Sequence, residues 1–261
     1  INMRLSNKLN SFIYIGIANK EPNRSDYTES SLKSRPSSEK LIDYEAGTIY
    51  KTNVFSASLN LFYMNYQDQL VLTGAVNDVG NYTRTNTKKS FRRGIEFSTA
   101  VMPVRELTIG GNFTLSENQI TSFTEFIPDY DTGGEIVNRY SNTDIAFSPS
   151  FIAASYIQLK IANSLELMIN GKYIGKQYLD NTSSENRIIK SYETLDAGII
   201  YILKPTFMKE INFSFFVNNV LDKEYVSNGY SYAYFYGSLI RENMYYPQAG
   251  INFITKLSLT F

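Results

Sequence analysis

Tyrosine and arginine side chains concentrate in the polar segments of this 261-residue sequence and offer its most distinctive chemistry. A guanidinium group can hydrogen-bond two oxygens of one anion, and a phenol ring can stack on a flat ligand or a cation. The densest group lies in GYSYAYFYG, residues 229–237. The candidates for ligand contact are Arg24, Tyr27, Tyr82, Arg84, Tyr130, Arg139, Tyr140, Tyr230, Tyr232, Tyr234, Tyr236 and Arg241. For any one of them, ordinary packing within a loop is the alternative.

A second group of candidates is acidic and lies in DYDTGGE, residues 129–135. Asp129, Asp131 and Glu135 supply oxygen atoms at a spacing that could hold Ca²⁺. The segment lacks the twelve-residue pattern that ends in a bidentate glutamate. We therefore expect a solvated turn without a metal, with Ca²⁺ binding as the alternative.

The composition excludes most catalytic arrangements. The sequence has no Cys and no His, so it offers no disulfide, no thiolate nucleophile and no imidazole base or ligand. We therefore expect no enzyme activity and no cofactor. Basic and acidic residues are equal in number, 25 of each, and form no basic block, so a nucleic-acid partner is not expected either.

The stretches between these polar segments are predicted to be strands, because apolar and polar residues alternate along them with a period of two. The polar segments would then connect the strands. The segment Ile251–Phe261 puts Phe253, Leu257 and Leu259 on one side and Lys256 and Ser258 on the other. A tilted strand needs about 9 to 11 residues to cross a bilayer, whereas strands of soluble domains average about 5 to 6. The 21 Tyr and 17 Phe also favour a β structure.

The spacing of the strands predicts a transmembrane antiparallel up-and-down β-barrel. Connections are long near residues 20, 75, 135, 185 and 235 and short near 52, 103, 163 and 205. Antiparallel neighbours joined in this way place every long connection at one end, and barrels of outer membranes have short turns at the periplasmic end. The ten predicted strands cover residues 10–19, 42–50, 55–66, 92–101, 107–116, 150–161, 165–176, 194–203, 211–218 and 251–261.

The alternating rows also predict which side chains face outward and inward. We expect three aromatic residues near strand ends to anchor the wall at the membrane interface: Tyr66, Tyr173 and Tyr201. Four charged residues of the polar rows should face inward: Glu45, Glu96, Lys172 and Asp196.

Four segments carry a family resemblance: YIGIANKEPNRSDYTE (14–29), FYMNYQDQLVLTGAVNDVGNYTRTN with RRGIEF (62–86 and 92–97), VNNVLDKEYVSNGY (217–230) and PQAGINFITKLSLTF (247–261). They resemble the carboxy-terminal half of TonB-dependent outer-membrane receptors. The NNVLDKEY stretch and the final strand are the most specific parts of this resemblance.

The resemblance implies that residues 1–261 are part of a receptor barrel, about the last ten of 22 strands, without the plug domain and the TonB box. It implies a place in the outer membrane of a Gram-negative bacterium, in contact with outer-membrane lipid. TonB would then act through the absent plug segment, and the barrel-assembly machinery would recognise the terminal strand through Phe261. Ten strands leave two open edges, so we expect further strands in the native protein.

The function implied by the resemblance is TonB-coupled uptake of a scarce nutrient, most simply a ferric siderophore or another iron complex. In related receptors, loop Tyr and Arg side chains grip such a small-molecule metal chelate together with residues of the plug. Import of a glycan, cobalamin or haem is an alternative. A soluble all-β carbohydrate-binding module is another, and a barrel enzyme would need a nucleophile paired with a His that this sequence lacks.

Extraction of the full-length protein separates the membrane hypothesis from the soluble one. We expect the protein to need detergent for extraction and its band in SDS gels to shift on heating, because a closed ladder of backbone hydrogen bonds resists SDS until heated. A protein that stays in the soluble fraction without detergent and shows no heat shift would contradict the barrel.

Overall fold

The computed structural model describes residues 1–28, 35–76 and 81–261, and nearly all regular structure in these ranges is antiparallel β-sheet. The strands are β1 (Asn2–Arg4), β2 (Leu9–Lys20), β3 (Glu39–Lys51), β4 (Phe55–Val76), β5 (Tyr82–Val104), β6 (Leu107–Asp129), β7 (Gly134–Asp144), β8 (Phe151–Ala162), β9 (Leu165–Ile174), β10 (Gln177–Tyr178), β11 (Ile188–Ile189), β12 (Tyr192–Leu203), β13 (Glu210–Asn218), β14 (Val226–Tyr236), β15 (Ser238–Pro247) and β16 (Asn252–Thr260). A five-residue helix, α1 (Arg24–Thr28), follows β2.

One meandering sheet forms the wall of the molecule, in the order β1-β2-β3-β4-β5-β6-β8-β9-β12-β13-β16. Each wall strand is antiparallel to its neighbours. All ten predicted strands are present in this order, which confirms the fold class. β1 was not predicted, because three strand residues before a polar turn are too few to show a period.

The outward rows of the wall are apolar and exposed. Leu61, Ile95 and Leu115 lie side by side across β4, β5 and β6, with exposed fractions of 48%, 38% and 53%. Such a continuous exposed apolar band is rare on a water-soluble protein. A sandwich would bury these rows in a core, so the soluble carbohydrate-binding alternative is wrong for this wall.

The inward rows are mostly polar and line an open pocket of about 490 Å³. Asn60 lies between Glu45 and Glu96 and donates through Nδ2 to a carboxylate oxygen of each, at 3.2 and 3.3 Å. Arg92 donates to Asn118 at 3.2 Å and to Ser148 at 2.9 Å. Glu45 and Glu96 therefore face inward as predicted, and Lys172 and Asp196 lie on the same inward rows of β9 and β12.

Two of the three predicted interface anchors lie on the outward face. Tyr173 packs on Phe151 with ring centroids 5.8 Å apart, and Tyr201 is 39% exposed. Tyr66 was placed wrongly, because it shares the inward row of β4 with Asn60. The apolar residues Phe62 and Met64 interrupt that row and hide its direction in the sequence.

The connections alternate in length as predicted, except that only five residues separate β4 from β5, where a long connection was predicted near residue 75. At one end lie the short turns, which include Arg105–Glu106 between β5 and β6 and Asn163–Ser164 between β8 and β9. At the other end lie α1 and the strands β7, β10, β11, β14 and β15. In the described ranges, no α-helix has the length and apolar character that crossing a membrane requires.

The long connections contain more strand than the sequence predicted. Residues 72–88 and 120–149 were interpreted as polar loops, yet β4 and β5 stay paired as far as Val76 and Tyr82, and β6 continues to Asp129 and pairs with β7. Likewise, β14 and β15 form a hairpin within residues 222–248. The apolar row of each strand ends where the strand leaves the bilayer. Backbone pairing continues beyond that point, because the two strands can form the same hydrogen bonds in water.

The apolar core lies in this extended end, and the wall below it has its apolar rows outside. Val71, Ile120, Phe123 and Ile145 form a buried cluster against which Tyr140 packs. These residues come from β4, β6 and the segment after β7, so the core joins the extended strands to the connections that cover them. The water-exposed end is thus stabilised like a soluble protein, and the wall depends on lipid.

Charged substitutions in β16 test which face meets lipid. Leu257→Arg or Leu259→Arg should block membrane assembly, since an arginine on the lipid face costs about 2–4 kcal/mol near the midplane. Ser258→Arg is the matched control, because Ser258 lies on the opposite row of the same strand. The amount of heat-modifiable protein in the outer-membrane fraction measures assembly. Normal assembly of the leucine variants would contradict the lipid-facing assignment.

Candidate functional site

Glu125 is the centre of an ionic cluster at the water-exposed end of β6. Its Oε1 accepts from Arg187 Nη1 at 2.9 Å and from Arg241 Nη1 at 2.8 Å, and its Oε2 accepts from Arg241 Nη2 at 3.1 Å. Tyr140 donates its hydroxyl to Oε2 at 2.9 Å, and Asn138 its amide at 3.2 Å. We call Glu125, Arg187, Arg241, Asp180 and Tyr140 the Glu125 cluster.

Burial makes the ion pairs of this cluster strong. Arg187 is 7% exposed and Asp180 is 4% exposed, and the two form an ion pair. Burial alone would raise the pKa of Glu125, but the hydrogen bond from Arg241 and the charge of Arg187 outweigh it and lower this pKa to about 2. Glu125 is therefore a carboxylate at any pH that a cell meets.

The Glu125 cluster joins three connections that are distant in sequence. Glu125 and Tyr140 belong to the β6–β7 hairpin, Asp180 and Arg187 to the segment between β10 and β11, and Arg241 to the β14–β15 hairpin. Strand alternation places side chains of one face two residues apart, and this is why Tyr140 and Asn138 both reach Glu125.

The tips of the two hairpins are also tied together. Tyr130 N donates to Phe235 O at 2.9 Å, and Gly237 N donates to Asp131 Oδ2 at 2.7 Å. Gly237 has a φ of +63°, which glycine adopts without the steric cost that a side chain would bring. The β14–β15 hairpin is thus held at its tip and at its middle.

Three tyrosines of β14 form a partly exposed row, which we call the tyrosine ladder: Tyr230, Tyr232 and Tyr234. Rings of neighbouring members stack, with centroids 6.3 Å apart at 25° for the first pair and 6.2 Å apart at 7° for the second. Tyr246 packs beside Tyr230 at 6.0 Å, and Tyr130 packs beside Tyr234 at 5.7 Å. The result is a continuous aromatic surface across two hairpins.

The tyrosine ladder faces away from the Glu125 cluster. Arg241 pairs with Ala233, which lies on the other face of β14 from the flanking Tyr232 and Tyr234. Because Arg241 reaches Glu125 on β6, the face of the hairpin that carries Ala233 packs on β6. Among the described residues, the ladder therefore lies on the face of the hairpin that is turned away from β6.

The phenols of the ladder can stack and donate hydrogen bonds. Tyr232 donates its hydroxyl to Glu242 on β15, and this hydrogen bond raises the pKa of Tyr232 to about 12. The ring therefore stays a neutral phenol at physiological pH. It can contact a ligand by its face, but it is not poised to bind a metal as a phenolate.

The structure brings together only part of the predicted ligand-contact set. Tyr130, Tyr230, Tyr232 and Tyr234 form one surface, as the density of tyrosines suggested. Tyr236 lies at the hairpin tip and is 67% exposed. Ligand contact by these residues stays a prediction.

Several predicted residues lie elsewhere. Arg241 and Tyr140 are occupied within the Glu125 cluster. Arg139 pairs with Thr124 and so lies on the face of the β6–β7 hairpin opposite to Glu125. Strand alternation and ion pairing turn these three side chains away from the ladder, and their contact with a ligand stays a prediction.

The candidates near α1 form a separate group. Arg84 pairs with Asp26 at 2.9 Å, and Arg35 lies over the ring of Tyr27 at 5.4 Å. Arg24 begins the helix. Tyr82 begins β5, and its side chain lies outside the described part of the structure.

The acidic candidates do not converge on a cation. Asp129 caps its own turn and accepts from the backbone of Asp131 and from the side chain of Thr132. Asp131 instead accepts from Gly237, and Glu135 pairs along the strand with Pro128. Among the residues described, no three acidic side chains lie close enough together to hold a metal ion, so the Ca²⁺ alternative is not supported.

Sequence reasoning missed the members of the cluster that matter most. Glu125 is one acid in a strand, and Arg187 and Asp180 are single charges in a polar segment. The sequence offered only a weak signal for these pairs. Opposite charges occur in different connections, and no local spacing indicates which of them meet. Glu242 follows Arg241 directly, and only its place beside Tyr232 shows that it belongs to the ladder.

Comparison with known proteins gives one family. The model described as TonB dependent receptor-like, beta-barrel matches residues 20–220. The chain is 27% identical over 201 residues to the ferrichrome outer membrane transporter/phage receptor of Escherichia coli strain K12, which covers 71% of this chain and 26% of that protein. It therefore spans about a quarter of that curated relative.

Solved structures share the fold. The closed form of the ferric-catecholate import receptor Fiu from E. coli K12 matches all of this chain and 34% of its own, with a TM-score of 0.68 at 17% identity. The siderophore receptor PiuA from Acinetobacter baumannii matches all of this chain and 35% of its own, with a TM-score of 0.71 at 14% identity.

Removing the central carboxylate should release the β14–β15 hairpin. Glu125→Gln removes the negative charge that pairs with Arg241 in a partly buried site, and the cost should lie below the about 3–5 kcal/mol of breaking a fully buried pair. We expect faster hydrogen exchange of residues 226–247 in the full-length receptor, with the wall strands unchanged. Glu135→Gln, an exposed acid of the same hairpin, is the control. Equal exchange in both variants would contradict the role of the cluster.

The Glu125→Gln variant also tests how the stabilisation by the Glu125 cluster depends on pH. The folded-state pKa of Glu125, about 2, lies below its ordinary value of 4.5, so its stabilisation is present above about pH 4.5 and is lost as the pH falls toward 2. The exchange difference between wild type and Glu125→Gln should therefore be constant at neutral pH and shrink below about pH 4. If the exchange difference disappeared between pH 7 and pH 5, a group other than Glu125 would control the attachment of the β14–β15 hairpin.

Proposed function

Because this chain belongs to the TonB-dependent receptor-like β-barrel family, we propose that it forms part of a receptor for TonB-coupled uptake of a ferric siderophore or a similar iron complex. Proteins of this family lie in the outer membrane of Gram-negative bacteria, and so does this chain. The short turns are then periplasmic, and the tyrosine ladder lies outside the cell.

The tyrosine ladder is the observation that carries the proposal. Its rings form an aromatic surface on the face of a hairpin that is turned away from β6, at the end of the wall that meets the medium. A flat, rigid set of phenols supplies contact area at little cost in conformational entropy. The Glu125 cluster supports the surface from behind and holds it in one place.

The relatives support an iron complex as the cargo. The similar E. coli protein is named a ferrichrome transporter, and the similar solved structures include receptors named for ferric catecholates and siderophores. We propose the same class of cargo for this chain. Its residues would bind and release the complex without chemical change, since relatives of this kind are transport receptors and the sequence offers no His or Cys.

The open edges of the sheet support a larger barrel. In the described residues, β1 pairs only with β2, and β16 pairs only with β13. An unpaired strand edge in lipid leaves backbone groups without partners, and this is too costly to persist. We propose that further strands close the barrel and that a plug segment, on which TonB pulls, fills the polar interior.

Assembly is proposed to depend on the terminal strand. The outward row of β16 carries Phe253, Leu257 and Leu259, which are 73%, 62% and 48% exposed. We propose that these side chains contact lipid and that the barrel-assembly machinery recognises the strand together with Phe261.

Uptake by cells tests the proposed function. Iron-starved cells that express the full-length receptor should accumulate ⁵⁵Fe from a ferric siderophore, and cells that lack it should not. A protonophore, or deletion of TonB, should stop accumulation inside the cell and leave binding at the surface, because capture needs only the receptor. Equal accumulation with and without the receptor, over a panel of hydroxamate and catecholate complexes, would overturn the proposal.

A further inference from the structure

We propose that the tyrosine ladder selects ferric complexes without net negative charge, of the hydroxamate class, over polyanionic complexes such as tricatecholates. The inference rests on the proposed function and adds the chemical class of the cargo. It follows from the charges on the two faces of the β6–β7 and β14–β15 hairpins, which the Glu125 cluster joins.

The ladder face carries an acid and no base. β14 contains no basic residue, and β15 contains one, Arg241. Arg241 lies on the opposite face and is bound through two nitrogens to Glu125. Glu242 is the charged residue that accompanies the ladder, opposite Tyr232 across the hairpin. An anion that approaches the rings would therefore meet a carboxylate.

The neighbouring hairpin adds no cation to this surface. It contributes Tyr130, which packs beside Tyr234 of the ladder and lies between Asp129 and Asp131 in the sequence. Its one basic residue, Arg139, lies on the face turned away from the β14–β15 hairpin. Arg187, behind the ladder, is bound to Glu125 and Asp180. The guanidinium groups that could have gripped an anion are thus occupied by internal carboxylates.

The neutrality of the phenols strengthens this selection. Tyr232 keeps its hydroxyl proton and donates it to Glu242, so the ring offers a ligand an uncharged stacking surface. A polyanionic chelate would lose its water shell and gain no opposite charge, whereas like charges at close range repel even in water. An uncharged chelate loses less hydration and can cover the rings with its apolar and amide surface.

The test compares two complexes on one receptor. The full-length receptor, purified in detergent, is titrated by calorimetry with ferrichrome, an uncharged ferric trihydroxamate, and with ferric enterobactin, a polyanionic tricatecholate. We expect ferrichrome to bind at least about tenfold more tightly. Replacing Tyr232 or Tyr234 with Leu should weaken ferrichrome binding by about tenfold, the scale of one or two lost aromatic contacts. Tyr201→Leu, on the lipid-facing row, is the control for folding.

A charge reversal on the ladder distinguishes selection from simple contact. Glu242→Lys should raise the affinity for ferric enterobactin by about tenfold, because it replaces a repulsive charge with an attractive one. Glu106→Lys, in the short turn between β5 and β6 at the opposite end of the wall, is the matched control and should leave both affinities within about twofold, since salt screens so distant a charge. Hydrogen exchange of residues 226–247 confirms that the hairpin of each variant is folded.

The outcomes separate this inference from the proposed function. Preference for ferrichrome that the ladder variants abolish would support both. The inference would be overturned if the wild type bound ferric enterobactin tightly, or if the ladder variants bound ferrichrome as tightly as the wild type. Neither result would contradict the receptor function. Binding of neither complex by a folded receptor would overturn the inference, and accumulation of ⁵⁵Fe over the panel of complexes then decides the proposed function.

Discussion

A strand in hydrocarbon must pair every backbone N–H and C=O group, because no water is present to replace a lost hydrogen bond. This constraint explains the wall of the molecule. Its strands form an unbroken antiparallel ladder, and their outward side chains can be apolar and exposed because lipid covers them. The polar inward rows follow from the same alternation, since every second side chain points the other way.

The constraint no longer applies where the strands leave the membrane, and there the apolar side chains form a buried core. β4, β5 and β6 continue, but their inward side becomes a buried core that includes Ile120 and Phe123. Water covers this end, so connections must shield apolar side chains and satisfy their own polar groups. The Glu125 cluster does this for three connections at once and, in doing so, uses two arginines that a ligand could otherwise have bound.

The ladder and the cluster are two faces of one hairpin. Strand alternation places the tyrosines on one face and Arg241 on the face that packs on β6, so one short sequence both anchors the hairpin and presents the tyrosine ladder. A rigid support of this kind keeps the aromatic surface in position, and it would favour the proposed ligand binding because less order must be imposed when a ligand binds.

What the sequence alone determined is the part that depends on local pattern. The alternation in β2 or β16, the strand lengths and the long and short connections predicted the class, the order and the orientation of the wall, because a period of two is written residue by residue. The apolar Phe62 and Met64 show the limit of this reasoning, since they interrupt the inward row of β4 and led Tyr66 to the wrong face.

Only the tertiary structure decided which charges meet and which aromatic rings stay free. Glu125 and Arg241 are 116 residues apart, and nothing near either one specifies the other. Their pairing results from the way two hairpins pack together, and that depends on contacts across the whole water-exposed end. For this reason the sequence could place tyrosines and arginines together in the loops, whereas the fold separated the tyrosines that a ligand can reach from the arginines that hold them in place.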